Sequence, residues 1–186
     1  MSTIKLEKSY PVPKKAVWEY LVKDELLSSW CMPAKGFTLQ KGQDFVFEIT
    51  PNIFFGGTFY NKVTDFKENV FLSYQCIAKK PKLDTIVRWT LAESGGETKL
   101  TLEHSGFSGS QWLIKIMLAS GWKKMMHSHL YNKLVQNNCP CPIPRCKRHG
   151  DCIACQAAHR GKTYCNTKDG SLKKWLVDKL FKKEQK

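Results

Sequence analysis

The sequence predicts an α+β protein in which a curved antiparallel sheet wraps a long C-terminal helix, followed by a small cysteine-rich metal-binding tail. Three observations carry that reading. Apolar residues alternate with period two between Phe37 and His104, helical periodicity flanks this stretch on both sides, and six of the eight cysteines fall within the 27 residues from Cys139 to Cys165. Period two sends successive side chains to opposite faces of a strand, whereas a spacing of roughly three to four keeps them on one side of a helix. The pattern assigns residues 1–137 to the sheet-and-helix domain, 138–167 to the cysteine-rich module and 168–186 to a basic amphipathic helix.

The first strand spans Thr3 to Tyr10 and ends at Pro11 and Pro13, which lack the N–H a ladder needs. KKAVWEYLVKDELLSSW then places Val17, Leu21, Leu26 and Leu27 at broadly helical intervals, giving one helix and a short second one. Phe45, Phe47 and Ile49 alternate with Asp44 and Glu48, and Phe59–Phe66, Val70–Ile77, Thr85–Leu91 and Thr98–His104 repeat the alternation. KENV, KKPK and SGGE are the turns between them, so six or seven antiparallel strands follow one another in a meander. After the break HSGFSGS, Gln111–Val135 is helical, with Leu118, Trp122, Met126, Leu130 and Leu134 on one stripe at spacings of four. Asn137 and Asn138 suit its C-terminal cap, and Pro140, Pro142 and Pro144 stop it.

At 186 residues, 42% hydrophobic and 25% charged, the chain has the composition of an ordinary globular protein, which excludes collagenous and disordered classes. The N-terminus MSTIKLEKSYPVPKK has no apolar run, and Lys115 interrupts the longest apolar stretch, Trp112 to Trp122. Neither an export signal nor a membrane span is expected, and the expected location is cytoplasmic. Of the net charge of +14, residues 138–186 contribute most, with 12 Lys and Arg against 4 Asp and Glu, while residues 1–137 hold 18 against 12. Such a tail attracts phosphates, acidic lipids or acidic protein surfaces, unless it serves solubility alone.

In a reducing compartment, closely spaced thiols hold metal rather than disulfides. The candidate ligands are Cys139, Cys141, Cys146, Cys152, Cys155, His159 and Cys165, with Cys152 and Cys155 forming the CxxC knuckle of structural zinc sites. Arg145, Lys147, Arg148 and Arg160 nearby favour the thiolate form. Adding His149 gives eight donors, enough for two tetrahedral zinc ions; one zinc, an iron-sulfur cluster and redox-active thiols are the other readings. Cys31 and Cys76 stand apart, as small buried hydrophobes. In SLKKWLVDKLFKKEQK, Leu172, Trp175, Leu176, Val177, Leu180 and Phe181 face lysines, so this helix packs on its own protein, on a partner groove or peripherally on an anionic membrane.

The run YPVPKKAVWEYLVKDELLSSW, the later GGTFY, RWTLAESGGETKLTLEHSGF and the pair Gly121 and Trp122 resemble the START-like (SRPBCC) helix-grip superfamily. The nearest group is that of the homologues of the Hsp90 ATPase activator, and the resemblance covers residues 3–136. It implies a seven-stranded antiparallel sheet gripping the last helix, often around a cavity for apolar or amphipathic ligands. Members include lipid carriers, polyketide cyclases, stress proteins and co-chaperone-like domains, so the fold does not choose the function. Residues 139–165 resemble a short uncharacterised bacterial cysteine-rich module, which implies no activity.

Side chains on the concave face and the inner stripe of the helix either line such a cavity or fill the core: Trp30, Phe45, Phe47, Phe59, Tyr74, Trp89, Trp122 and Met126. No catalytic residue is assigned, because His104, His127 and His129 show no nucleophile spacing. Gly56 and Gly57 form a turn, since no phosphate-loop Lys and Ser or Thr follow. The expected function is non-enzymatic binding of an apolar small ligand or a chaperone-type partner. The alternatives are nucleic-acid binding through the basic tail and a cavity enzyme of polyketide-cyclase type.

Overall fold

The computed structural model describes residues 2–136 together with the single residues 148, 155 and 158. Two compact units divide the chain, Met1–Leu134 and Val135–Lys186. The first holds β1 (Ser2–Tyr10), α1 (Lys14–Val22), α2 (Asp24–Trp30), β2 (Ala34–Lys35), β3 (Asp44–Glu48), β4 (Thr58–Lys67), β5 (Phe71–Ala78), β6 (Leu83–Ser94), β7 (Glu97–Phe107) and α3 (Trp112–Lys124).

Pro13 presets the entrance to α1, which buries Val17, Trp18 and Leu21, and α2 follows directly, burying Leu27 and Trp30. The seven strands form one antiparallel sheet in the order β1-β7-β6-β5-β4-β3-β2, the meander that alternation predicts with its first strand folded back beside the last. Register keeps the apolar set on one face: Tyr74 lies between Val63 and Val87, and Leu102 between Leu6 and Trp89. Tyr74, Val63, Val87, Leu102 and Trp89 are all buried. The turn in KENV is closed by Asn69 in the left-handed region, at φ 57°.

One departure from period two shapes the interior. Ser2 pairs with Phe107 and Ile4 with His104, so β7 carries one extra residue there, a β-bulge. Gly106, at φ 101°, makes it possible: a Cβ on it would lie 3.2 Å from both the Asp84 carbonyl oxygen and Thr85 Cα. The bulge turns both His104 and Phe107 inward although they are three apart, and both are buried.

Ser108 and Gln111 form a capping box ahead of α3. The helix then continues as wider π winding over Met125–Leu130 and Asn132–Gln136. This accounts for the spacing of four in the sequence. An α-helix of about 3.6 residues per turn carries such a stripe steadily round its axis, whereas π turns, which close from i to i+5, rotate it back. Trp122, Met126, Leu130 and Leu134 consequently all stay buried. The Tyr10 hydroxyl donates to the Met126 carbonyl at 2.8 Å, fixing β1 to the π segment. Burial pushes that hydroxyl far above its ordinary pKa, so it stays protonated.

Candidate functional site

The inner face gathers the aromatic residues singled out by the sequence into one cluster. Trp30 packs edge-on against Trp89 at 5.9 Å between ring centroids, and Trp89 against Trp122 at 5.4 Å. Phe45 meets Phe47 at 5.2 Å and Tyr74 at 5.3 Å, while Phe59 packs on Phe55 at 5.9 Å. With Met126, none of the eight predicted residues is more than 5% exposed. Edge-to-face contacts of this kind add roughly 0.5–1.5 kcal/mol per pair beyond the burial of area.

Polar atoms are few on this face, and most are satisfied. Trp122 Nε1 donates to His104 Nδ1 at 3.1 Å, so that nitrogen is an acceptor and the proton of the neutral ring sits on Nε2. His104 Nε2 lies 2.9 Å from Thr85 Oγ1, and the Thr85 hydroxyl donates in turn to the Cys76 carbonyl at 3.0 Å. The chain of bonds ties α3 to β7, β6 and β5. Burial lowers the His104 pKa to about 4, keeping the ring neutral. Burial also pushes the Cys31 and Cys76 thiols up to about 12, against weaker opposing hydrogen bonds from the Met32 backbone and Thr85 respectively. These thiols are not nucleophiles at neutral pH. Trp89 Nε1 donates to the Tyr74 hydroxyl at 3.4 Å.

Asn61 is the exception. It stands on β4 opposite Phe45 and Cys76, is 2% exposed, and spends its amide nitrogen on the Phe59 carbonyl at 3.0 Å. Its Oδ1 accepts no hydrogen bond.

At one end of the sheet lies an open cleft of about 980 Å³, bordered by Ile77, Leu83, Asp84, Ser110, Gln111 and Ile114. Three connections meet there. The Gly56 N–H donates to the Lys80 carbonyl at 2.8 Å, joining the β3–β4 loop to the β5–β6 turn, and Gln111 Nε2 donates to the Lys82 carbonyl at 2.6 Å, joining that turn to the start of α3. Asn52 Oδ1 accepts from the backbone of Phe54 and Phe55, which props the loop in shape. Gly57, at φ 96°, lets the loop close: a Cβ on it would sit 2.7 Å from Pro51 Cγ. The turn expected at Gly56 and Gly57 is thus a device that shapes the mouth. Sequence reasoning passed over this end, although the apolar triplet Ile53, Phe54 and Phe55 between Asn52 and Gly56 fits neither strand nor helix periodicity.

Of the expected metal ligands, Cys139, Cys141, Cys146, Cys152, His159 and Cys165 lie outside the described residues, as does the basic amphipathic helix of residues 168–186; Cys155 is described only as half-buried and helical. Among the described residues no three His, Cys, Asp or Glu side chains gather as a metal site. Nor is any described helix long and apolar enough to cross a membrane.

Residues 11–134 match the family described as Activator of Hsp90 ATPase homolog 1-like protein. Among solved structures, the chain is similar to protein MLL2253 from Mesorhizobium loti, with a TM-score of 0.64 and 23% identity over 74% of this chain and 98% of that one. It is also similar to CalU16 from Micromonospora echinospora, at TM-score 0.58 and 20% identity over 71% of this chain and 74% of that one. The Aha1 dimer from Colwellia psychrerythraea gives TM-score 0.58 and 18% identity over 72% and 96% respectively. These likenesses concern the fold. No curated protein matches the sequence significantly.

Proposed function

The chain belongs to the family of Activator of Hsp90 ATPase homolog 1-like proteins, and from that premise we propose that its sheet-and-helix body binds, without turnover, an apolar small molecule that carries a hydrogen-bond donor. The observation behind this reading is Asn61 Oδ1, an unpartnered acceptor on a buried aromatic face. Leaving such an acceptor unmade costs about 1–3 kcal/mol, which a ligand hydroxyl or N–H offsets. The inner wall proposed for the site is the buried cluster of Trp30, Phe45, Phe47, Phe59, Tyr74, Trp89, Trp122 and Met126, so a ligand must part side chains that are packed in this structure. Binding rather than catalysis is favoured because the buried polar side chains among the described residues are Asn61, Ser73, Thr85, Thr98 and His104, all neutral. His104, the one titratable group among them, has both ring nitrogens engaged.

Intrinsic tryptophan fluorescence tests the reading, because Trp89 and Trp122 lie in the wall. Titration with 2-naphthol and with its methyl ether should show saturable quenching, the naphthol binding about tenfold more tightly for one added hydrogen bond. Asn61→Leu should erase the difference between the two. Equal affinities for the wild-type protein, or no saturable response, would overturn the proposal.

For residues 138–167 we propose a structural zinc site built from Cys139, Cys141, Cys146, Cys152, Cys155, His159 and Cys165. The support is their spacing and the CxxC knuckle. Elemental analysis of protein purified without chelator should find stoichiometric zinc in a colourless sample. A brown chromophore bleached by air would instead mark an iron-sulfur cluster, and metal-free protein would refute the site.

A further inference from the structure

Eight large apolar residues are exposed among the described residues: Ile53, Phe54, Tyr60, Ile77, Ile86, Trp112, Leu113 and Ile116. Register places Tyr60, Ile77 and Ile86 toward the β5–β6 end of the sheet, and hydrogen bonds join the segments that carry the other five to the same turn. Tyr60 is paired with Ile77, the next-to-last residue of β5, and Ile86 stands near the start of β6 opposite Ser105, close to the end of β7. Ile53 and Phe54 lie in the loop that enters β4, bonded through Gly56 to Lys80. Trp112, Leu113 and Ile116 occupy the first turns of α3, bonded through Gln111 to Lys82. Trp112 and Ile116 are four apart and so share one side of the helix. The most exposed of the set, Ile53 at 80%, Trp112 at 63% and Ile116 at 57%, come from the β3–β4 loop and the start of α3, the two segments bonded to the β5–β6 turn.

That turn is basic. Lys79, Lys80 and Lys82 are exposed on it and the half-buried Lys115 lies in the first turns of α3; none of the four takes part in an ion pair among the described residues, and Lys79 Nζ sits 5.9 Å over the Tyr60 ring. Of the carboxylates nearby, Glu48 is paired with Lys35 at 2.7 Å, while Asp84 accepts a hydrogen bond from the neutral Gln75 at 2.7 Å and keeps its charge, so the end carries more positive than negative charge. An apolar rim mixed with lysines that hold no ion pair among the described residues and with a tryptophan fits neither water nor a neutral apolar partner. It matches the boundary of an anionic bilayer, where aromatic and aliphatic side chains enter the acyl margin and lysines meet headgroup charge.

We infer that the open end of the domain docks on anionic lipid membranes, with Ile53, Phe54, Trp112, Leu113 and Ile116 entering the interface and Lys79, Lys80, Lys82 and Lys115 on the headgroups. The surface lies beyond the ligand reading above and stands whether or not the inner face takes a ligand.

Co-sedimentation of the full chain with vesicles tests it, using phosphatidylcholine alone and phosphatidylcholine with about 30% phosphatidylglycerol, the anionic fraction that supplies the surface potential. Binding is expected to the mixed vesicles only, and to weaken with salt. Near the surface each lysine contributes about fivefold, so Lys79→Glu with Lys80→Glu should weaken binding at least 25-fold or so. Ile53→Ser with Phe54→Ser, on an exposed loop, should weaken it about tenfold. Brominated acyl chains should quench tryptophan emission, and Trp112→Phe should keep binding while losing most of that quenching. Equal binding to both vesicle types, or no binding, overturns the inference. So does wild-type affinity in both rim variants, or quenching unchanged in Trp112→Phe, either of which would place the contact in residues 138–186.

Discussion

Removing the buried imidazole of His104 should abolish a defined part of the domain's pH dependence. In the folded protein the ring titrates near pH 4 because burial opposes its charge; in the unfolded chain it returns to about 6.5. Between these values the unfolded state binds a proton that the folded state does not, so stability is full above pH 6.5, falls as pH drops, and levels off below pH 4. At about 1.4 kcal/mol per unit, the loss comes to about 2 kcal/mol by pH 5 and about 3 kcal/mol by pH 4. His104→Gln has no titrating ring. It should cost about 2 kcal/mol at pH 7.5 through the disturbed bonds to Trp122 and Thr85, with wild type and variant converging as pH falls. Urea unfolding followed by circular dichroism from pH 7.5 to 4.5 measures both curves, and carboxylate contributions cancel in their difference. A wild-type advantage of the same size at both ends of that range would refute the assignment of a neutral, doubly bonded His104.

Gly57→Ala should destabilise the domain by about 2–4 kcal/mol, since it combines a left-handed backbone with a contact to Pro51, whereas Gly42→Ala, also at positive φ but with nothing within 4 Å, should cost only about 1 kcal/mol; equal losses in thermal melts would show that the loop yields. Asn61→Leu should change stability by no more than about 1 kcal/mol, because removing an unsatisfied acceptor offsets the loss of the bond to the Phe59 carbonyl; a loss above about 2 kcal/mol in urea would mean that Oδ1 is partnered. A chain ending at Val135 should still unfold cooperatively in calorimetry, as the compact unit closes at Leu134; a broad, non-cooperative melt would contradict this.

Alternation made the strands legible, because each has one buried face and the register obeys it. Proline and glycine positions marked the turns, and the apolar stripe marked the last helix. The bulge at Gly106 was not legible: nothing in the string HSGF says that His104 and Phe107 share a face, and this hid the bonds from His104 to Trp122 and Thr85. The spacing of four along the helix was visible, but the π winding that keeps it straight depends on tertiary contacts such as Tyr10 with Met126. The aromatic cluster could be named in advance because size and alternation decide burial. The exposed rim could not, since Ile53, Phe54, Trp112 and Leu113 read as core by composition, and only the fold shows them exposed.

The adjacency of β1 and β7 bears on the order of events as the chain is made. Among the described residues β1 pairs with β7 alone, whose residues begin at Glu97. β1, made before the other strands of the sheet, is therefore secured last, after every hairpin from β3 to β7 has had the chance to form locally. Bringing ends roughly 100 residues apart together costs about 2 kcal/mol more than closing a loop of roughly 10, and this falls on a single step. Until β7 emerges, Ile4 and Tyr10 have no strand to pair beside and stay open to other chains. At the opposite border the two-residue β2 is too short to template another strand. β1 is thus a strand left open during synthesis, and a variant that slows hairpin closure between β6 and β7 should aggregate through it.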